Sequence, residues 1–361
     1  MPCRTPLLQI VWSEMRSALL TPYYDPPVRG NAVTVQRLER QLLSLGCRAT
    51  VWGLDIRSPA EIIDGVATQG CDICHAFHAL LGGALALQLK KKTALPYLVT
   101  LTGSDIYESL AGQQRSETIQ ALLAADRLVV FHESIAARLA AEVPQVAGRI
   151  RVIPQGVDLP PMETPGERHH SDDDTIVFLL PAGLRPVKNV LSCLEPLAGL
   201  HAHDPRVRLV IAGPAIDDEY ASCVLAALPA FPFASYIGTV DHPAMTALYR
   251  QASVVLNTSR FEGGMANSLL EAMASSRPVL VADIEGNRSL VNDGDTGLFY
   301  RDAPEFLDKA KLLLDDPALR QRLGNAGRRL VEERHSPERE AAAYLGLYKE
   351  VLAAEWTSAD F

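Results

Sequence analysis

The 361-residue chain has no surplus of positive charge: 34 lysines and arginines stand against 43 aspartates and glutamates, a formal net charge of −9. Nucleic-acid binding needs a basic face to neutralise phosphates, so this balance argues against that class of partner. Long apolar runs are also missing. The opening run at 7–12 has only six residues and no small-residue cleavage pattern after it, too short for a signal peptide or a spanning helix. The expectation is a soluble cytoplasmic protein. Cysteine is scarce, with six residues at positions 3, 47, 71, 74, 193 and 223. Their irregular spacing excludes a secreted disulfide framework and leaves reduced thiols as the default.

Several motifs are absent as well. No GxxxxGK[ST] phosphate loop occurs, and no GxGxxG follows the first predicted strand, which removes the usual signs of a P-loop NTPase or a simple dehydrogenase. Cys71-Asp-Ile-Cys74 has no second CxxC to complete four zinc ligands, and its place at a strand entrance suggests packing. His75 and His78, three apart on a strand, point to opposite faces and do not chelate together. Asp172-Asp173-Asp174 and His169-His170 sit in a solvated linker, so no metal is expected. Lys90-Lys91-Lys92 close an apolar helix where cations suit the C-terminal dipole, and membrane association is not favoured.

What is present is length and apolar content, 48% hydrophobic residues over 361, which suits two domains better than one core. Short β-branched runs at 7–12, 48–54, 72–77, 97–101 and 127–131 read as buried parallel strands. Helical stretches separate them. Val35, Leu38, Leu42 and Leu45 recur at spacings of three and four before Gly46 as a stop. A Pro-, Gly-, His- and Asp-rich segment at 163–174 reads as a linker. A second series of strands follows at 175–180, 207–212, 234–237, 254–257 and 278–282. The predicted fold is α/β: two Rossmann-like, doubly wound parallel-sheet domains, 1–162 and 175–335, facing an interdomain cleft. A helix over 336–361, capped at Ser336-Pro337 with Ala343, Leu347 and Val351 on one stripe, is expected to cross back to the first domain.

Chemistry concentrates at two places in the second domain. From Asn257 the chain leaves a strand and runs Asn-Thr-Ser-Arg-Phe-Glu262-Gly-Gly-Met-Ala-Asn267-Ser-Leu-Leu-Glu271, with two glycines before a helix. Backbone N–H groups at such a start suit an anionic diphosphate, and the two carboxylates suit hydroxyls of ribose and sugar. A capped core helix with two surface glutamates is the alternative. The second place is Ala182-Gly-Leu-Arg185-Pro-Val-Lys188, just after that domain's first strand. Ordinary surface cations at a helix start are the alternative, but that position favours anions, and a glycine with two cations here suits holding a diphosphate without a metal.

With these pieces in order, the chain resembles the GT-B-fold glycosyltransferases of family 4, in the branch that includes the glycosyltransferase 1 domain-containing proteins. Gly30-Asn-Ala-Val-Thr-Val-Gln-Arg37, Thr102-Gly-Ser-Asp105, Gly183-Leu-Arg-Pro-Val-Lys188, Leu209-Val-Ile-Ala-Gly-Pro214 and Ile284-Glu-Gly-Asn287 carry the resemblance. Selenosugar synthases are similar in the Glu-Gly-Gly stretch. The resemblance implies that Arg185 and Lys188 bind the donor diphosphate and stabilise the leaving group, and that Glu271 accepts ribose hydroxyls. It implies that Glu262 with Gly263, Gly264, Met265, Ala266 and Asn267 contacts sugar and phosphates. Gly183, Gly213, Pro214, Thr239 and Val240 would line the nucleotide pocket. Gly30 and Asn31 would approach from the first domain, with His78 and Asp105 near the sugar and acceptor.

Two departures stand out. Eight residues separate Glu262 from Glu271 where the family usually has seven, so either a bulge absorbs the extra residue or Glu262 is displaced. The family's usual histidine-aspartate pair reads Ser104-Asp105, which leaves His78 as the sugar-facing imidazole. The expectation is a retaining, metal-independent transferase with no cofactor. It would move a hexosyl or N-acetylhexosaminyl group from a nucleotide sugar, UDP-linked, to a small or peripheral acceptor. A selenosugar or thiosugar synthase and a non-catalytic nucleotide-sugar-binding protein are the alternatives. Arg16, Arg29 and Arg37 are the cations that would meet an anionic acceptor, with solvent-facing positions as the other reading.

Overall fold

A computed structural model describes residues 15–25, 30–161 and 175–359. The first half runs β1 (Arg16–Thr21), α1 (Gly30–Ser44), β2 (Arg48–Gly53), α2 (Pro59–Gln69), β3 (Ile73–Phe77), α3 (Gly83–Thr93), β4 (Tyr97–Thr100), α4 (Arg115–Ala124), β5 (Arg127–Val130), α5 (Glu133–Glu142) and β6 (Ile150–Val152). All pairings are parallel, in the order β2-β1-β3-β4-β5-β6. β3 is buried along its whole length, as a strand covered by helices on both faces must be. Local signals fix the helix ends. Ser58 and Glu61 form a reciprocal capping box at the start of α2, and Gly70 ends it in a left-handed turn.

The second half runs β7 (Ile176–Pro181), α6 (Leu194–His203), β8 (Val207–Ala212), α7 (Asp218–Ala227), β9 (Ala234–Tyr236), α8 (His242–Gln251), β10 (Val254–Asn257), α9 (Asn267–Ala274), β11 (Val279–Ala282), α10 (Glu285–Arg288), β12 (Leu298–Tyr300), α11 (Ala303–Asp315) and α12 (Pro317–Arg334). Its sheet is again parallel, ordered β12-β11-β10-β7-β8-β9. In each sheet the order reverses beside the first described strand, at β1/β3 and at β7/β10. Doubly wound sheets open a crevice at such points.

α13 (Pro337–Ala359) crosses back as the sequence predicts. Tyr344, Leu347, Tyr348 and Val351 pack among Leu19, Leu38, Leu42 and Phe77 of the first half. The predicted stripe is partly wrong, because Ala343 is exposed and Ala341 and the two tyrosines are buried instead. Their hydroxyls have partners inside: Tyr344 meets Thr100 at 3.0 Å and Tyr348 meets His75 Nδ1 at 2.7 Å. His75 is therefore a core residue, and burial lowers its pKa to about 3. α13 and α1 are also joined by a buried ion pair, Arg37 Nε to Glu340 Oε2 at 3.0 Å.

The predicted strand at 7–12 and the linker at 163–174 lie outside the described residues. Sequence pattern does not predict β1 at Arg16–Thr21 or the three-residue strands β6 and β12. The other predicted strands agree to within two residues at each end.

Candidate active site

The two switch points face each other across one cavity of about 560 Å³, lined by loops after β1, β3 and β4 and after β7, β8 and β10. After β7, Arg185 is extended and precedes a 3₁₀ turn over Pro186–Lys188, and Asn189 leaves the turn at φ 48°. Arg185 lines the cavity, and its buried Nε has no hydrogen-bond partner. A buried donor of this kind is left for a ligand to satisfy. Lys188 Nζ donates to Glu262 Oε1 at 2.5 Å, and the same oxygen accepts from Ser259 Oγ at 2.7 Å and Asn257 Nδ2 at 3.2 Å. Burial pushes the Glu262 carboxyl up, but the Lys188 charge and these hydrogen bonds outweigh it and hold the group below the usual carboxylate range. An ammonium has three donors, so Lys188 keeps capacity for an anion.

Glu271, in the second turn of α9, lines the same cavity. It accepts from Tyr249 Oη at 2.9 Å and from His242 Nε2 at 3.2 Å. The hydrogen bond to Glu271 raises the His242 pKa against the opposing effect of burial. Burial, with the Glu271 charge added, pushes the Tyr249 phenol well up. A carboxylate has about four lone-pair sites, so two donors leave room for ribose hydroxyls.

Asn267 ties the halves together. Its Nδ2 donates to Gly30 O at 2.9 Å and Thr34 Oγ1 at 3.0 Å, and Gln155 Nε2 reaches its Oδ1 at 3.4 Å. The amino ends of α1 and α9 therefore converge on the cavity, and both favour an anion there.

On the first-half wall, His78 begins a π-helical turn at φ 71°, a conformation that non-glycine residues rarely adopt outside functional or strained sites. Its Nδ1 accepts from the Leu81 N–H at 3.3 Å, so the neutral ring carries its proton on Nε2, 3.1 Å from Ser104 Oγ. Asn31 Nδ2 lies 3.4 Å from Thr102 Oγ1.

Family patterns match both halves: Glycosyltransferase Family 4 over residues 16–160 and Glycosyl transferases group 1 over residues 163–330. The chain belongs to the group 1 glycosyltransferases. Glycosyltransferase 1 domain-containing protein 1 of Xenopus tropicalis is 28% identical over 331 residues, 87% of this chain and 92% of that relative. Sucrose-phosphate synthase from Thermosynechococcus elongatus superposes with a TM-score of 0.80 at 20% identity, over 94% of this chain and all (100%) of that one. Anabaena HepE in complex with UDP gives 0.75 at 14% identity, over 93% of this chain and 100% of that one. The fold is GT-B, and the protein is a glycosyltransferase enzyme.

In this glycosyltransferase the cavity brings together Gly30, Asn31, His78, Gly183, Arg185, Lys188, Gly213, Pro214, Val240, Glu262, Gly263, Met265, Ala266, Asn267 and Glu271. Three expected residues are not among its lining. Asp105 is fully buried, and its carboxylate accepts the backbone N–H groups of Ala79, Thr102 and Gly103, so it braces the loop after β4 instead of meeting a sugar. Thr239 is exposed to solvent, one residue before Val240. Gly264, at φ 125°, packs on Phe131.

The chain bends through Gly263, Gly264 and Met265 before α9, with Gly264 in a conformation that favours glycine, and Glu262 lines the cavity. Gly263 also meets Gly103 across the cleft so closely that a Cβ on it would lie 1.9 Å from the Gly103 Cα.

The cations suggested for an anionic acceptor are engaged elsewhere. Arg37 is paired with Glu340, and Arg16 donates to the Gln69 carbonyl at 3.2 Å. Arg29 lies outside the described residues. Sequence reasoning missed His242 and Tyr249, which carry no motif and reach Glu271 only through the packing of α8 on α9. It also missed Phe261 and Glu108 on the cavity wall. Among the described residues no group of three or more His, Cys, Asp or Glu side chains is placed to hold a metal, and no helix is long and apolar enough to cross a membrane.

Proposed function

We propose that this glycosyltransferase moves a hexosyl or N-acetylhexosaminyl group from a UDP-sugar with retention of configuration and without a metal. The observation that carries the reading is the convergence of Arg185, Lys188 and the amino ends of α1 and α9 on one cavity that also holds Glu271. Two cations and two helix dipoles supply the charge that a bound divalent cation would otherwise provide to a diphosphate. Anabaena HepE, a neighbour of the same fold, holds UDP in its crystal structure, which supports the choice of nucleotide.

In the transfer, the acceptor hydroxyl attacks the anomeric carbon on the face from which the diphosphate leaves. The C–O bond to the diphosphate breaks, the new glycosidic C–O bond forms, and the acceptor proton passes to a diphosphate oxygen. Arg185 and Lys188 offset the charge that develops on the leaving group, and Glu271 fixes the ribose. His78 and Ser104, joined through the His78 Nε2, present their polar edge to the sugar from the opposite wall.

Among the described residues of the first half that line the cavity, Glu108 is the one Lys, Arg, Asp or Glu side chain. Among those described residues no cation offsets that carboxylate, which favours a neutral or amine-bearing acceptor over a phosphorylated one. The free cysteines at 47, 71, 74, 193 and 223 agree with a cytoplasmic setting.

The test is thermal stabilisation by a panel of nucleotides and nucleotide sugars with and without EDTA, followed by the anomeric configuration of the product by NMR. The expected result is a rise selective for one UDP-sugar, unchanged by EDTA, and a retained anomeric centre. An EDTA-sensitive rise would overturn metal independence, and an inverted product would overturn the front-face route.

A further inference from the structure

Outside the residues assigned to donor chemistry, the two halves also meet at a polar group. Glu285, the first residue of α10 in the second half, accepts on Oε2 from Arg138 Nη2 at 2.6 Å, Arg138 Nε at 3.0 Å and Tyr107 Oη at 3.0 Å, all from the first half. The Arg138 guanidinium sits 5.1 Å from the Tyr107 ring centroid. Tyr107 also stacks on Phe261 of the second half, with ring centroids 4.8 Å apart, and Phe261 lines the cavity.

The next residue links this contact to the catalytic wall. Gly286 lies against Glu262, where a Cβ would come within 2.5 Å of the Glu262 Cβ and 2.6 Å of its carbonyl oxygen. A shift of α10 therefore displaces the Glu262 backbone, and the Glu262 carboxylate is what holds Lys188.

We propose that Glu285 is a positioning residue. Its clasp with Arg138 and Tyr107 holds the two halves in the closed arrangement and, through Gly286, sets the Glu262–Lys188 pair against the donor. The substrate consequence rests on the transferase reading of the cavity; the closing of the halves does not. Closure excludes water and brings the acceptor wall to the donor, so loosening the clasp lowers turnover and weakens acceptor use before it weakens nucleotide binding.

The experiment uses the full chain with Glu285→Ala, Arg138→Ala, the double variant and the charge swap Glu285→Arg/Arg138→Glu. Small-angle scattering of the substrate-free proteins gives the radius of gyration, UDP-induced thermal shifts give nucleotide binding, and initial rates with the donor found by the panel give kcat and the acceptor KM. The expected result is a larger radius for each single variant and about a tenfold fall in kcat over acceptor KM. The UDP shift should be preserved and the double variant should be no worse than either single one. The charge swap should recover part of the loss, and a fall in kcat over acceptor KM with the UDP shift preserved is what a merely structural role would not produce. Unchanged scattering in both single variants would overturn the clasp whatever the enzyme acts on. Expanded variants with unchanged rates would overturn its link to turnover.

Discussion

Lys188 is held by a carboxylate and placed to meet another anion. Lys188→Ala should lower kcat by about 10²-fold or more, as expected for loss of one preorganised charge donor at the leaving group. It also strands a buried carboxylate, a change that costs about 3–5 kcal/mol when a partner is simply removed. The double variant Lys188→Met/Glu262→Gln separates the two effects: its melting point should recover while its turnover stays low. A near-parental rate in either variant would remove Lys188 from leaving-group stabilisation.

The second residue-scale prediction follows from His242. Its folded pKa is raised by Glu271, so the stability from this pair is fully present below about pH 6.5, the unfolded value, and is lost as pH rises through the folded value. The melting-point gap between the parent and His242→Gln should therefore be widest near pH 6 and narrow toward pH 9. A gap that is constant across that range would mean that the contact is not charge-assisted.

At the scale of elements, much of the architecture is legible because the signals are local. Buried parallel strands read as apolar β-branched runs, and Val207–Ala212 and Val254–Asn257 match their predicted spans to the residue. β1 escapes because its run, Arg-Ser-Ala-Leu-Leu-Thr, is polar at both ends, and of those polar residues only Arg16 stays exposed in the fold. Ser17 and Thr21 are fully buried all the same. Cleft motifs at strand ends are legible for the same reason, since glycine and charge after a buried strand are visible in sequence. Asp105 misleads because a carboxylate that caps backbone N–H groups looks in sequence like one that faces a ligand.

The glycine pair before α9 meets the other half at close range. Gly263→Ala places a methyl against the Gly103 backbone in the other half, with no flexible side chain to give way. The two loops must separate. Transfer activity should fall while the melting point changes little, because the clash lies at the cleft and not in either core. Rates equal to the parent's would mean that the loops do not meet in the working enzyme.

At the scale of the whole molecule, α13 follows the second half in sequence and belongs to the first by contact. Its tyrosines fill the first-half core, and Glu340 answers the buried Arg37, which α1 cannot leave unpaired without cost. Sequence periodicity identifies the helix, but which face it buries depends on Thr100 and His75 waiting as hydroxyl partners in a sheet laid down more than two hundred residues earlier. Deleting 337–361 should therefore unfold the halves unequally. Hydrogen exchange should show amides of β1 to β6 losing protection while those of β7 to β12 keep it. Arg185, Lys188 and Glu271 all lie in the surviving half, so UDP should still protect the loop after β7, with weaker affinity for want of the α1 terminus. Equal loss of protection in both sheets would mean that the halves form one cooperative unit, in which case α13 supports the closed cleft as a whole and not the first half alone.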